Sequence, residues 1–75
     1  MHYLVVVEKA DTNYSAYAPD VPSCVATGDT IEETIGQMQK ALKMHLEAMM
    51  RDHELLPHPY SVHAVNIDVP ETALV

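Results

Sequence analysis

Four carboxylates in the first half of the sequence are of the type that supports metal-dependent hydrolysis of phosphodiesters: Glu8, Asp11, Asp20 and Asp29. Such chemistry needs carboxylates clustered around a hard cation, which they hold against the phosphate. Three of the four have a simpler structural explanation. Asp11 falls in a predicted turn, Asp20 in a proline-flanked loop, and Asp29 at a predicted helix start. A metal-dependent nuclease remnant is therefore the weakest of three functional hypotheses, and we expect no catalytic residues.

The five histidines and the single cysteine are the other candidates for chemistry. His45 and His53 lie eight residues apart, so they do not form the i,i+4 pair that grips zinc on a helix. Cys24 opens a predicted strand, where a small buried residue is the ordinary interpretation, and no group is evident that would orient a base beside it. We expect no metal site, no cofactor and no enzymatic activity.

Length and charge narrow the class of protein. The 75 residues fit one domain over residues 1–75, with residues 70–75 as a short tail. Eleven acidic and four basic residues give a net charge of −7. Four cations argue against direct nucleic-acid binding, whereas an acidic surface favours a basic protein partner; solubility alone would also explain the charge. No stretch is long or apolar enough for a membrane span or a signal peptide, so we expect a cytoplasmic protein.

The first third of the chain predicts three strands. Residues 3–9 and 14–18 are rich in β-branched and aromatic side chains, and residues 10–13 between them have the composition of a hairpin turn. Residues 19–23 contain two prolines, which predict a rigid connection rather than strand interior. The third strand is expected at residues 24–27.

A long helix should follow from Asp29 or Thr30. Thr30 and Glu33 have the spacing of a capping box, in which each residue bonds the backbone of the other. Apolar residues then recur at steps of three and four, which predicts one buried helical face. The predicted stripe consists of Ile31, Ile35, Met38, Leu42, Leu46 and Met49.

Residues 61–69 alternate as a fourth strand would. The resulting order is β-β-β-α-β, an α+β fold with one long helix on one sheet face. A right-handed crossover would place the fourth strand beside the first and parallel to it, in the spatial order 3-2-1-4. The other sheet face would then expose either Leu4 and Val6 or Val5 and Val7. We expect these residues to mediate self-association as a homodimer or homotetramer.

Two runs of residues carry a resemblance to a known family. Residues 19–24 read Pro-Asp-Val-Pro-Ser-Cys, and residues 28–33 read Gly-Asp-Thr-Ile-Glu-Glu. The sequence resembles the HicB-type antitoxin family, in which a tyrosine-bearing strand leads into Pro-Asp-hydrophobic-Pro-Gly-Cys and Gly-Asp-Thr-hydrophobic-Glu-Glu opens a long helix. The resemblance covers nearly the whole chain. Ser23 stands where the family usually has glycine.

The resemblance implies a fold like a partial ribonuclease H. It also implies an antitoxin that binds and blocks a small, basic, RNA-cleaving HicA-type toxin. For that contact we expect the acidic groups Asp20, Asp29, Glu32 and Glu33. Many family members carry a C-terminal DNA-binding domain; this sequence stops at Val75, so we expect none and no direct binding of nucleic acid. The alternative function is an orphan oligomeric interaction or regulatory module without a toxin partner.

Overall fold

Three antiparallel strands and one long helix make up the computed structural model, which describes residues 1–74. The strands are β1 (Val6–Lys9), β2 (Tyr14–Ala18) and β3 (Val21–Gly28), and they form one sheet in the order β1-β2-β3. The helix is α1 (Ile31–Arg51), and a short 3-10 helix follows at Glu71–Leu74. The predicted α+β class, the antiparallel meander and the long helix are therefore confirmed.

The β1–β2 hairpin forms where the sequence predicts it. The Ala10 amide donates to the Asn13 carbonyl oxygen at 2.8 Å and closes the turn. Val7 of β1 lies opposite Ala16 of β2, which in turn lies opposite Ala26 of β3. These three positions share the sheet face that the helix covers, because side chains alternate along each strand.

β3 is longer than the sequence predicts, since it begins at Val21 rather than at residue 24. The expectation of a non-strand connection over residues 19–23 is thus wrong for its last three residues. An irregularity between Tyr17 and Ala18 brings Ala18 opposite Val21, so the strand starts directly after a two-residue turn. Pro22 is tolerated because β3 is an edge strand, where a missing N–H can face solvent.

Both ends of α1 are closed by local hydrogen bonds. At the start, the Glu33 amide donates to the Thr30 hydroxyl at 3.0 Å, which is one of the two bonds of the predicted capping box. The Glu33 carboxylate accepts from the Asp29 amide instead of the Thr30 amide. At the end, the Glu54 amide donates to the Met49 carbonyl and the His53 amide to the Met50 carbonyl. This is a Schellman motif, and His53 occupies its left-handed position with φ 58°.

The core lies between the sheet and α1. Ala16, Ala18, Val21 and Cys24 from the strands surround Met38 of the helix. The helix is rotated about its axis relative to the predicted stripe at its first turns.

Thr34 is fully buried, whereas Ile31 and Ile35 are 46% and 42% exposed. Only two residues connect β3 to α1, and this short connection brings Thr34 against Gly28. The Thr34 hydroxyl donates to the Thr30 carbonyl at 2.7 Å, which satisfies it in the core.

The predicted fourth strand is absent from the described part of the chain, because residues 61–69 pair with no strand there. β1 is consequently an edge strand, and the order 3-2-1-4 is not formed. A strand needs a neighbour to satisfy its backbone, and residues 62–70 are exposed throughout. The ribonuclease H-like fold requires this fourth strand and is not confirmed. The predicted tail extends to Val75, which lies outside the described residues.

Candidate partner-binding surface

Three of the four predicted partner-binding carboxylates lie together at the start of α1. Asp29, Glu32 and Glu33, here called the acidic helix start, are all exposed. The Asp29 amide donates to the Glu33 carboxylate at 3.1 Å, so Glu33 also has a structural role. Carboxylates at this end are stabilised by the positive end of the helix dipole. The acidic helix start can hold exposed negative charge at little cost in stability.

Asp20, the fourth predicted residue, lies elsewhere. It precedes β3, whereas Asp29 follows it, and an eight-residue strand separates their ends by about 25 Å. The Asp20 carboxylate accepts from the Ser61 amide at 2.8 Å and from the Ser61 hydroxyl at 3.3 Å. Asp20 therefore fastens the chain that follows α1 to the β2–β3 turn, and the structure does not bring it to the acidic helix start.

A shallow groove lies between the open edge of β3 and one flank of α1, and we call it the β3–α1 groove. Val25 on the strand is 67% exposed and Met44 on the helix is 69% exposed. The groove is lined by Val25, Ala26, Thr27, Gln37, Lys40, Ala41 and Met44. Met44 does not belong to the predicted apolar stripe, so the sequence already indicates that it is exposed. The exposure of Val25 is harder to predict, because the sequence does not show which face of β3 is buried and the observed register is needed.

The sheet face away from the helix is the second apolar surface. Val6, Tyr17 and Val25 are paired across the three strands and form one row on this face. By alternation Leu4 belongs to the same face. Val5 and Val7 pack against the core instead. Of the two pairs proposed for self-association, Leu4 and Val6 are thus the pair that lies on the open face.

Cys24 and the histidines occupy separate environments. Cys24 is buried, and its Sγ donates to the Ala41 carbonyl oxygen at 3.8 Å. Burial raises the pKa of the Cys24 thiol, because an apolar surrounding disfavours the thiolate. His45 lies 3.4 Å from the Ser23 hydroxyl, and the His58 ring lies against Tyr60. Over the described residues, no three His, Cys, Asp or Glu side chains are arranged to hold a metal ion.

No helix within residues 1–74 has the length and apolar character needed to cross a membrane.

Comparison with known proteins shows which protein family this chain resembles. A family model described as the HicB_like antitoxin of bacterial toxin-antitoxin systems matches residues 3–73. The match includes all three strands, the helix and most of the segment after it.

Relatives in two kinds of organism align with this sequence. An uncharacterized 14.9 kDa protein of Haemophilus phage HP1 is 39% identical over 57 residues, which are 76% of this chain and 43% of that protein. Two proteins of Photorhabdus laumondii each align with 93% of this chain. Antitoxin HicB 2 is 30% identical with 50% of its length covered, and Antitoxin HicB 1 is 34% identical with 46% covered. The chain thus spans about half the length of these relatives.

Proposed function

This chain belongs to the HicB-like antitoxin family of bacterial toxin-antitoxin systems, and on that premise we propose that it binds and neutralises a small basic ribonuclease toxin of the HicA type. The observation that carries the proposal is the family match over residues 3–73, because it includes every strand and the helix of the fold. The proposed action is non-enzymatic: the antitoxin covers the surface with which the toxin holds RNA.

Charge supports this mode of inhibition. A ribonuclease binds RNA phosphates through lysine and arginine side chains. A protein with a net charge of −7 attracts the same side chains and competes with RNA for them. Complementary charge also speeds encounter between the two proteins, and salt weakens that effect by screening. The proposed complex is therefore salt-sensitive.

We assign the toxin contact to the acidic helix start together with the adjoining β3–α1 groove. Glu33 lies on the same flank of α1 as Gln37 and Met44, at steps of four and seven residues, so the two surfaces are continuous. Exposed Met44 supplies an apolar anchor in the groove, and the carboxylates supply a charged rim. Protein interfaces commonly combine such an apolar centre with a polar rim. Asp20 acts indirectly in this proposal, through its hold on Ser61.

Titration calorimetry with a purified HicA-type toxin tests the assignment. The double variant Asp29→Asn/Glu32→Gln removes two charges from the acidic helix start while keeping side-chain shape. We expect it to weaken binding about tenfold at low salt, and less at high salt. The matched control is Asp52→Asn/Glu54→Gln, which removes two charges from the opposite end of α1 and should weaken binding less than about twofold.

The two double variants separate the proposal from a general charge effect. Equal weakening by both would show that only net charge matters and would remove the acidic helix start as the contact. No binding by the wild-type chain to any such toxin would overturn the antitoxin proposal and favour the orphan interaction module.

A further inference from the structure

Residues 62–69, here called the C-terminal segment, carry apolar side chains that are mostly exposed in the described part of the protomer. Val62 is 85% exposed, Val65 67%, Ile67 74% and Val69 53%. Alternation along an extended chain places Val65, Ile67 and Val69 on one side. All three are β-branched and therefore suited to a strand. An uncovered apolar side on a strand-like segment marks a contact surface.

The C-terminal segment also extends outward from the rest of the protomer. Asp20 fastens Ser61 beside the start of β1, near Tyr3 and Leu4. Every residue from Val62 to Pro70 is exposed. The protomer measures 52 × 27 × 17 Å, and its radius of gyration of 15.2 Å exceeds the value of about 11 Å for a compact chain of this length. The segment is therefore placed to reach another molecule.

The edge of β1 is the matching unpaired surface. β1 pairs with β2 only, so within residues 1–74 its outer edge carries backbone groups without a strand partner. The helix lies mainly over β3 and β2 and barely reaches β1. An open strand edge of this kind is a template for one more strand.

One side of α1 lies next to the unpaired edge of β1. Gln37, Lys40 and Met44 face the β3 side. At 100° per residue, Ile31 and Ile35 lie at least about 120° around the helix from them, on the β1 side. Their side chains are 46% and 42% exposed. A strand added along the β1 edge would lay one apolar side against this flank.

We propose that residues 62–69 of one protomer add as a strand to the β1 edge of a second copy of this chain, with Val65, Ile67 and Val69 turned toward Ile31 and Ile35 of that copy. The occupant is a second copy because, within residues 1–74, residues 62–70 are exposed, pair with no strand of their own protomer, and accompany an elongated shape of 52 × 27 × 17 Å. The exchange is reciprocal, so a two-fold axis closes it and covers both segments at once. It does not depend on the toxin.

Light scattering coupled to size-exclusion chromatography tests this exchange on the full chain. We expect the wild type to have a mass of at least twice the 8.3 kDa of one chain. Ile67→Asp should reduce that mass to half or less while helix content by circular dichroism stays unchanged, because Ile67 is exposed in the protomer. Met44→Asp, at an exposed helix position on the opposite, β3 side of α1, should leave the mass unchanged.

Three outcomes would overturn the proposal. A monomeric wild type with slowly exchanging amides over residues 62–69 would show that the segment pairs with its own β1. A monomer with fast exchange there would show that it pairs with nothing. Dissociation by Tyr17→Asp, but not by Ile67→Asp, would assign self-association to the open sheet face instead.

Discussion

Gly28 lies against the backbone of Thr34 so closely that a Cβ atom at residue 28 would meet the Thr34 Oγ1 atom at 2.7 Å and the Thr34 amide nitrogen at 2.9 Å. This contact joins the end of β3 to the second turn of α1. It fixes which side of the helix enters the core, and it explains why Thr34 rather than Ile35 is buried.

Gly28→Ala should lower the free energy of unfolding by about 1–3 kcal/mol, because the helix backbone must move to admit the methyl group. Urea denaturation measures the change. Gly36→Ala is the matched control: nothing lies within 4 Å of its new Cβ atom, and alanine favours the helix by about 0.5–1 kcal/mol. Equal destabilisation by both variants would contradict the Gly28–Thr34 contact.

The Asp20–Ser61 contact gives a second prediction. Asp20→Ala removes both hydrogen bonds to Ser61, each of which has a carboxylate oxygen as acceptor, and should cost about 1–3 kcal/mol. The Ser61 amide should then exchange its hydrogen faster. Ser61→Ala removes only the longer bond at 3.3 Å and should have a smaller effect. An unchanged exchange rate at residue 61 in Asp20→Ala would show that the carboxylate does not hold this segment.

Replacement of His53 by glycine should stabilise the folded protein. Its φ of 58° lies in the left-handed region, where a side chain is strained and glycine is not. His53→Gly should raise the free energy of unfolding by about 0.5–1 kcal/mol, as measured by thermal or urea unfolding. His53→Val should lower it, because a β-branched residue is still less suited to this conformation. The opposite ranking of the two variants would refute the Schellman assignment.

Because the Cys24 thiol is buried, we predict that the protein loses stability at alkaline pH. Burial raises the folded-state pKa of the thiol above its ordinary value of 9.0, so the fold favours the protonated form. That stabilisation is fully present below the unfolded pKa and is lost as pH rises through the folded pKa. Urea midpoints measured from about pH 8 upward should fall more steeply for the wild type than for Cys24→Ala. Parallel curves would show that the thiolate is not disfavoured in the fold.

Local signals in the sequence predicted the local structure well. Tyr14–Ala18 forms the expected strand, and Thr30 with Glu33 forms the expected cap, because both depend on neighbouring residues only. The burial of Thr34 depends on the close approach of Gly28, which no periodicity reveals.

The segment at residues 61–69 has the alternation of a strand without its pairing, since alternation does not say where the partner strand lies. The acidic groups show the same difference between features set by neighbouring residues and features set by the path of the chain. Asp29, Glu32 and Glu33 are close in sequence and therefore close in space, whereas the placement of Asp20 depends on the path of β3 and on Ser61. A sequence pattern alone cannot supply that path.

Protection of RNA from a purified HicA-type toxin tests the proposed function most directly. Labelled RNA is incubated with the toxin while this chain is added up to and beyond equimolar amounts. The proposal predicts that cleavage stops near equimolar antitoxin at low salt, and that more Asp29→Asn/Glu32→Gln variant than wild type is needed. Unchanged cleavage in a large excess of the folded chain would contradict the antitoxin function.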